Sequence, residues 1–388
     1  PPCAGSLVHA HTAGALSQNA MASHSAAYLD EVRRRAAEAE SRASAALADL
    51  AAAEAVQVAL PAFTADVRDA SELSVAECRE QYVARFRPLL IRSIGALTDP
   101  TPWTLAWLRE HCGQKCAAVN VGGSQMAASC EVAGVEVMTI DDLAQRIEAR
   151  SSGRSAYLYD CSLPLKLPAL CERLAVPVYF AHDWLQRTRR LHAFSRSWPS
   201  LFVGATGTRS SLHIDQWKGH FWMAQLCGAK RWTIFHPEDA WCLSPSWPSE
   251  APRLEPTFPS LDEMEAQPGQ YPLLRLARRV DVTLRAGELL LVPGGAPHRV
   301  RNGESDADPA VSVAIAANFV DGSNCAAAAA DLGLMARRAA APEHEDRGAA
   351  AAVAGLDELD EVALSADDAR SAAAIGVPGV AGRVVPYG

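Results

Sequence analysis

Three residues in the sequence have the types and spacing of a metal site. The stretch SSLHID places His213 two positions before Asp215, and GELLLVPGGAPHRV places His298 85 positions after His213. Two imidazoles and one carboxylate on one ion form the facial triad of non-haem Fe(II) sites, which leaves coordination positions open. The triplet alone is weak evidence, because a chain with 11 histidines contains such spacings by chance.

Lys230 is the fourth residue that could do chemistry. It lies in AKRWTIF, where strand alternation would place Lys230, Trp232 and Ile234 on one face. A lysine inside an apolar barrel is costly unless it meets an anion, so an inward Lys230 predicts a ligand that carries a carboxylate. The alternative is a surface Lys230 with Arg231 pointing inward.

Strands must bring these residues together. If LHID is extended, His213 and Asp215 project to the same side. After about residue 200, short apolar segments alternate with Gly, Pro, Asn and Asp, which is typical of a sandwich or barrel. These segments are LFVGATG, SSLHID, HFWMAQLCG, KRWTIFHP, DVTLRAGELLLVP, HRVRN and VSVAIAANFV.

Regions of different composition flank these strands. We predict a disordered start and one long helix over Ser25–Val56 within residues 1–64, then a catalytic domain over 65–322. A Pro- and acid-rich insertion at about 240–280 is expected to be a loop with little core. Residues 323–388 form an Ala-rich tail, predicted as helices or as a weakly ordered appendage. The terminal helices are predicted contacts for a homodimer.

Composition narrows the function classes. With 49% hydrophobic and 21% charged residues the chain is globular, and its net charge of −9 predicts no nucleic-acid partner. The best candidate for a local basic patch, residues 187–196, is interpreted as a solvated face. No apolar run has the length of a membrane span, so no membrane partner is expected. The 10 cysteines lack zinc-site spacing and are predicted to be mostly reduced, which favours an intracellular protein, cytoplasmic or nuclear.

Further segments, in order, resemble the JmjC-domain, cupin-like 2-oxoglutarate oxygenases. The resemblance covers about residues 74–319, and its most specific parts are the Gly228-x-Lys230-Arg231-Trp232 run and the VPGG-x-x-His turn. It is closest to the hydroxylase-type members, of the lysyl-hydroxylase/arginine-demethylase type. It implies a mainly β fold with flanking helices, in which a double-stranded β-helix of jelly-roll or cupin type forms the core. The other matching segments are FRPLLIRSI, YLYDCSLP, VPVYFAHDWL, LFVGATGTRSSLHID, ELLLVPGGAPHRVRN and AIAANFV.

The resemblance also implies roles for single residues. His213, Asp215 and His298 would bind Fe(II) and form the catalytic centre, with O2 as co-substrate. Cofactor contacts fall on four other positions: Lys230 would pair with the 5-carboxylate of 2-oxoglutarate, Ser210 would support that carboxylate, and Tyr157 and Asn318 would line the pocket.

Two positions depart from the family pattern, and two tryptophans are candidates for the substrate entrance. Met223 stands where related members carry Asn, and Ala316 where Thr is common, so two hydrogen bonds to 2-oxoglutarate would be lost. Trp217 and Trp222 are predicted to shape the substrate entrance, with barrel packing as the alternative.

The resulting hypothesis is an Fe(II)- and 2-oxoglutarate-dependent dioxygenase. It would hydroxylate a side chain of a protein or peptide substrate, with succinate and CO2 as co-products. One alternative is a JmjC lysine or arginine demethylase. The other is a non-catalytic cupin-type interaction module, which the two lost polar positions keep open.

Overall fold

A computed structural model of the chain describes residues 26–95, 97–98, 103–121, 134–149, 156–181, 183, 199–249, 253–304, 311–339 and 380–383. The predicted disordered start, the basic run at 187–196 and most of the tail lie outside these residues. The described α-helices are α1 (Ala26–Ala48), α2 (Leu50–Ala59), α3 (Val75–Cys78), α4 (Leu105–Cys112), α5 (Ile140–Ala149), α6 (Leu163–Lys166), α7 (Pro168–Cys171), α8 (Leu261–Ala266) and α9 (Cys325–Ala339). A π-helical turn, Arg79–Val83, continues α3, and 3-10 turns cover Val178–Phe180, Gln216–Lys218, Pro237–Leu243 and Pro272–Leu276.

Fifteen strands are present in the described residues, and most coincide with the predicted apolar segments. They are β1 (Asp66–Asp69), β2 (Leu89–Arg92), β3 (Cys116–Val121), β4 (Val135–Thr139), β5 (Ala156–Ser162), β6 (Ala175–Pro177), β7 (Ser200–Ala205), β8 (Arg209–His213), β9 (His220–Cys227), β10 (Ala229–Phe235), β11 (Arg279–Arg285), β12 (Leu289–Val292), β13 (His298–Asn302), β14 (Val311–Phe319) and β15 (Val380–Arg383).

Two sheets form the predicted jelly roll. The larger has nine strands in the order β1-β2-β12-β9-β14-β7-β5-β3-β4, and the smaller has four in the order β11-β10-β13-β8. Apart from the parallel β1–β2 pair, neighbouring strands in these two sheets are antiparallel. β15 pairs with β6 in a separate two-stranded sheet. The predicted fold class is confirmed.

Successive side chains along the strands of the large sheet point to opposite faces and pack into two different cores. One face packs against helices, as Trp222 and Ala224 of β9 do. The other face meets the small sheet, where Met223 of β9 packs in one cluster with Trp232 and Ile234 of β10. We call this second cluster the barrel interior, and its members are Phe63, Leu90, Tyr157, Phe202, Met223, Trp232, Ile234, Val282, Leu284, Leu290, Val292, Ala296, Val300, Ala314 and Ala316.

Two consecutive helices, α1 and α2, replace the single long helix predicted near the N-terminus. Asp49 interrupts them with a non-helical backbone (φ −141°, ψ 79°), and its carboxylate accepts the Ala52 N–H at 3.0 Å. Aspartate favours this position because it satisfies an N–H that has no partner in the first turn of a helix. The prediction of a single helix was wrong because the Ala/Glu/Arg-rich composition favours helix on both sides of Asp49 and gives no sign of the cap.

The segment predicted as a loop with little core instead contains the helix α8 and packs on the outer face of the small sheet. Leu261 and Met264, three positions apart on one helix face, pack with Leu212 of β8 and Phe235 of β10. The predicted loop was wrong because this short apolar pair lies between Pro-rich stretches.

Asp262 of α8 fastens this segment to the strands that carry the two histidines. Its carboxylate accepts hydrogen bonds from Arg209 of β8 and from Arg299 and Arg301 of β13, each at 2.5–2.6 Å. Charge-assisted bonds of this kind are stronger than neutral ones.

Two further sequence expectations concern membranes and thiols. Among the described residues, no helix combines the length and the apolar character that crossing a bilayer requires. Within the same residues, Cys116 departs from the predicted reduced state, because it is disulfide-bonded. The free thiols of this part of the chain are Cys78, Cys112, Cys161, Cys171, Cys227, Cys242 and Cys325.

Candidate metal centre

The β8–β13 pair brings the two histidines face to face. His213, the last residue of β8, is the cross-strand partner of His298, the first residue of β13. Asp215 follows β8 with extended backbone, and its Oδ1 lies 3.5 Å from His213 Nε2 and 3.9 Å from His298 Nε2. The donor atoms of the three residues lie within 4.8 Å of one another. One ion with bonds of about 2 Å can therefore reach all three.

Backbone carbonyls orient both imidazoles. His213 Nδ1 donates to the Ser211 carbonyl at 2.8 Å, and His298 Nδ1 donates to the Ala296 carbonyl at 3.0 Å. Because a carbonyl can only accept, each ring carries its proton on Nδ1, and the Nε2 lone pair is left for a metal. Such partners fix the tautomer and the ring orientation of metal-binding histidines.

The charges of the three residues suit a divalent cation. Burial raises the pKa of Asp215, but the neighbouring His298 and His213 imidazoles and the Asn318 amide outweigh burial and lower it to about 2. Burial and the nearby His213 lower the pKa of His298 to about 4. Asn318 Nδ2 donates to Asp215 Oδ2 at 2.9 Å, so Asn318 holds the oxygen that does not face the histidines.

An extra residue in β8 gives Ser210 and His213 the same orientation. Ser210 pairs with Val300, and His213 pairs with His298. An advance of three residues along β8 therefore corresponds to an advance of two residues along β13. Such a bulge redirects side chains and is common beside active sites. Ser210 is buried, and its Oγ accepts the Val300 N–H at 3.2 Å. Its own hydroxyl proton is still available for a bound carboxylate.

Lys230 lies on the inner face of β10 and is completely buried. It shares this face with Trp232 and Ile234, as strand alternation predicts. Its ammonium donates to Asn302 Oδ1 at 2.5 Å and to the Tyr157 hydroxyl at 3.2 Å. None of the carboxylates in the described residues forms an ion pair with it, so the interior holds a cation that still lacks an anion.

Asn302 and Thr208, which the sequence reasoning missed, keep Lys230 in place. Asn302 Nδ2 donates to Thr208 Oγ1 at 2.7 Å, while its Oδ1 receives Lys230. A signal for Asn302 exists, because positions 298, 300 and 302 of HRVRN alternate onto the face of His298. Gly204 of β7 lies against this group, and a Cβ there would approach Asn302 Nδ2 to 2.4 Å.

Binding of 2-oxoglutarate is expected to take up a proton above neutral pH. Burial lowers the pKa of Lys230 to about 7, so part of Lys230 is neutral at slightly alkaline pH. An incoming carboxylate favours the charged form and raises that pKa again. The affinity should therefore fall as the pH rises above 7, by up to about tenfold per pH unit.

Calorimetric titration of the Mn(II)-loaded protein in two buffers of different ionisation enthalpy measures this proton uptake. Close to one proton per 2-oxoglutarate is expected well above the pKa of Lys230. Uptake of no proton, together with a flat pH profile of the affinity, would show that Lys230 does not meet the ligand as an ammonium.

His220 supports the turn that leads into His298. It is fully buried, its Nδ1 accepts the Gly294 N–H at 3.0 Å, and its Nε2 donates to Ser323 Oγ at 2.9 Å. Burial lowers the pKa of His220 to about 4, which agrees with a neutral ring that accepts at one nitrogen and donates at the other. His220 is thus a positioning residue.

Replacing Gly294 with alanine is expected to weaken metal binding by about tenfold or more, the usual effect of disturbing residues behind metal ligands. An added Cβ would lie 2.2 Å from the Lys218 carbonyl oxygen, so either the Gly294 turn or the loop after Asp215 must move. Titration with Mn(II) measures the effect. Gly269→Ala is the matched control, because a Cβ there meets nothing within 4 Å. Equal affinities for the two variants would contradict the prediction.

The structure corrects the prediction for Trp222 and places Trp217 below the surface. Trp222 lies on the helix-facing side of β9, nearly parallel to Phe180 at 6.3 Å, and Phe221 takes the barrel side. The prediction for Trp222 was wrong because Phe221 and Trp222 are adjacent in β9, and the sequence does not show which of the two points into the barrel. Trp217 is buried and has a left-handed backbone conformation (φ 55°). Its backbone N–H donates to the Glu255 carboxylate at 3.1 Å.

The two departures from the family pattern are neighbours in the barrel interior. Met223 of β9 and Ala316 of β14 are cross-strand partners, and both are buried. This part of the wall is therefore apolar, and the polar contacts available to a carboxylate come from the opposite side, around Lys230.

The residues present fit Fe(II) and 2-oxoglutarate. The His213–Asp215–His298 donor set is the triad that Fe(II) prefers, and Lys230 is an uncompensated cation in the same interior. Asn302, the partner of Lys230, lies four residues along β13 from His298, a distance of about 13 Å. The side chains of Lys230 and His298, with a small dicarboxylate between them, can span that distance.

Comparisons with known proteins agree with this site. The chain is 28% identical over 178 residues to the "2-oxoglutarate and iron-dependent oxygenase JMJD4" of Gallus gallus, which covers 46% of this chain and 39% of that protein. It is 24% identical over 301 residues to the "Lysine-specific demethylase JMJ21" of Arabidopsis thaliana, which covers 74% of this chain and 28% of that protein. The "Arginine-specific demethylase JMJ22" of the same plant is 28% identical over 251 residues, or 63% and 45% of the two chains.

The chain thus spans less than half the length of each of these relatives. The cupin-like domain family matches residues 75–323. Because this match includes every proposed metal ligand and more than half of the 388 residues, the resemblance to JmjC-type oxygenases is confirmed, and the chain belongs to the cupin-like domain family.

Proposed function

We propose that the chain is an Fe(II)- and 2-oxoglutarate-dependent dioxygenase that hydroxylates a side chain of a protein substrate. The observation that carries this proposal is the presence of the His-Asp-His triad and an unpaired, fully buried lysine in one barrel. A structural metal site alone would give no reason for Lys230, because an isolated buried ammonium destabilises the fold. A dicarboxylate that binds both the metal and Lys230 explains both features.

Each residue of the site then has a defined task. His213, Asp215 and His298 hold the iron, and Asn318 keeps one Asp215 oxygen directed toward it. Lys230 binds the distal carboxylate of 2-oxoglutarate. The apolar side chains around them, including Trp232 and Met223, exclude water, which strengthens this charge pairing.

Bound Fe(II) supplies the activation of O2 that the side chains cannot provide. In the balanced reaction, 2-oxoglutarate, O2 and a substrate C–H give succinate, CO2 and a substrate C–OH. One oxygen atom enters succinate and the other enters the substrate.

Two measurements test the proposal. Purified protein with Fe(II), ascorbate and 2-oxoglutarate should release succinate, and a non-catalytic cupin would release none. Mass spectrometry of candidate substrate proteins should then detect the gain of one oxygen on a side chain. Loss of a methyl group instead would identify a demethylase, the activity in the names of two relatives.

A further inference from the structure

A cleft of about 240 Å3 lies beside the metal centre. Its walls come from one face of α1, from the loop after β8, from the 3-10 turn after β10 and from the segment around residues 245–256. The lining includes Arg42 of α1, Lys218, Trp241, Trp247 and Glu255.

The inner end of the cleft reaches the loops that carry the metal ligands. Ile214, which lines it, is the residue directly before Asp215. Gly295, on the other side, belongs to the turn before His298 and precedes Ala296, whose carbonyl orients the His298 ring. The inner end of the cleft is therefore formed by the two loops that hold the metal ligands in place.

One wall of the cleft lies outside the family match and is fixed in place. Arg35 of α1 binds Asp331 of α9 and the Leu254 carbonyl, and it also pairs with Glu31 at 2.8 Å. Both α1 and Asp331 lie outside residues 75–323. This wall therefore lies outside the part of the chain that the family match covers.

The charges that remain available in the cleft are positive. The Arg42 guanidinium lies over the Trp241 ring, 4.9 Å from its centre, and neither Arg42 nor Lys218 forms an ion pair with a carboxylate of the described residues. Other charged groups of the lining are already paired, as Arg34 is with Glu38 at 2.9 Å. Glu255 also lines the cleft, but burial raises its pKa to about 7, and its carboxylate accepts the Trp217 backbone N–H at 3.1 Å.

Resting on the oxygenase function proposed above, we propose that this cleft binds an acidic segment of the protein substrate. Carboxylates of that segment pair with Arg42 and Lys218, while Trp241 and Trp247 pack against its aliphatic parts. The residue to be modified enters between Ile214 and Gly295. Electrostatic complementarity of this kind selects partners by charge and suppresses those of the wrong sign.

Three fluorescein-labelled peptides of equal length test the inference. Each carries a central lysine between residues that are acidic, neutral or basic, and binding to the Mn(II)- and 2-oxoglutarate-loaded protein is followed by fluorescence anisotropy. We expect the acidic peptide to bind about tenfold more tightly than the neutral one. Arg42→Glu and Lys218→Glu, made separately, should each abolish this preference. Arg33→Glu is the matched control, since Arg33 is on the same helix, pairs with exposed Asp30 and does not line the cleft.

Release of succinate without peptide, measured on the same preparations, separates the two proposals. A preference for the acidic peptide in a protein that releases no succinate would sink the oxygenase proposal and leave the cleft assignment standing. Succinate release without a preference for the acidic peptide overturns the cleft assignment. Equal losses in Arg33→Glu and Arg42→Glu also overturn it, because the effect would then reflect overall charge.

Discussion

Replacement of Asp215 by alanine is expected to remove Fe(II) binding and to reduce succinate formation by at least about a thousandfold. Asp215 is the only carboxylate of the triad, and its Oδ1 lies within 4 Å of both histidine Nε2 atoms. Without it, two neutral imidazoles remain, and they attract a divalent cation far less strongly. Titration with Mn(II) and an assay for succinate measure the two effects.

Asp281→Ala is the control for this variant. Asp281 is an exposed aspartate of β11 that pairs with Arg279 at 2.9 Å on the outer face of the small sheet. It should retain metal binding and turnover. Undiminished Mn(II) affinity in Asp215→Ala would contradict the assignment of the metal centre.

Replacement of Lys230 by methionine is expected to have opposite effects on ligand binding and on stability. Loss of a buried charge pair with 2-oxoglutarate costs about 3–5 kcal/mol, which corresponds to roughly 150- to 5,000-fold in affinity. The ligand-free protein should nevertheless become more stable, because a buried charge without an anion is replaced by an apolar side chain of similar size. Calorimetric binding of 2-oxoglutarate and thermal unfolding without ligand measure the two effects.

The pH dependence of this gain in stability has a defined sign. The pKa of Lys230 is lowered from 10.5 to about 7 in the folded protein, so the unfolded chain binds more protons between these values. The stability of the unmodified protein therefore rises with pH across this window, and the advantage of Lys230→Met shrinks. Lys166→Met, at an exposed helical position, is the control and should change neither quantity. A destabilised Lys230→Met variant that still binds 2-oxoglutarate would contradict both parts of the prediction.

Alternation and the family resemblance predicted the parts of the site that depend on regular strands. The inward direction of Lys230 followed from the pattern of AKRWTIF, and β10 has it. The strand that carries His213 was also predicted, although β8 ends at His213 and Asp215 lies just beyond it. The two residues still converge because the backbone stays extended at Asp215.

Irregular features explain most of what the sequence did not predict. The bulge in β8 brings Ser210 and His213 onto one face, whereas residues three apart in a regular strand face opposite ways. Asn318 was predicted to line the pocket, but its contact with Asp215 joins residues that are 103 positions apart. Local patterns contain no information about such a pairing, and the same holds for the group around Lys230 and Asn302.

The position of β8 at the end of the four-stranded sheet has a consequence for biosynthesis. Its only strand partner in the described residues is β13, which begins at His298. On the ribosome, the N-terminal two-thirds of the chain would emerge with His213 exposed on an unpaired strand and with the second imidazole not yet made. We therefore expect iron loading to follow the docking of β13, so that a nascent chain halted before His298 does not complete the metal site.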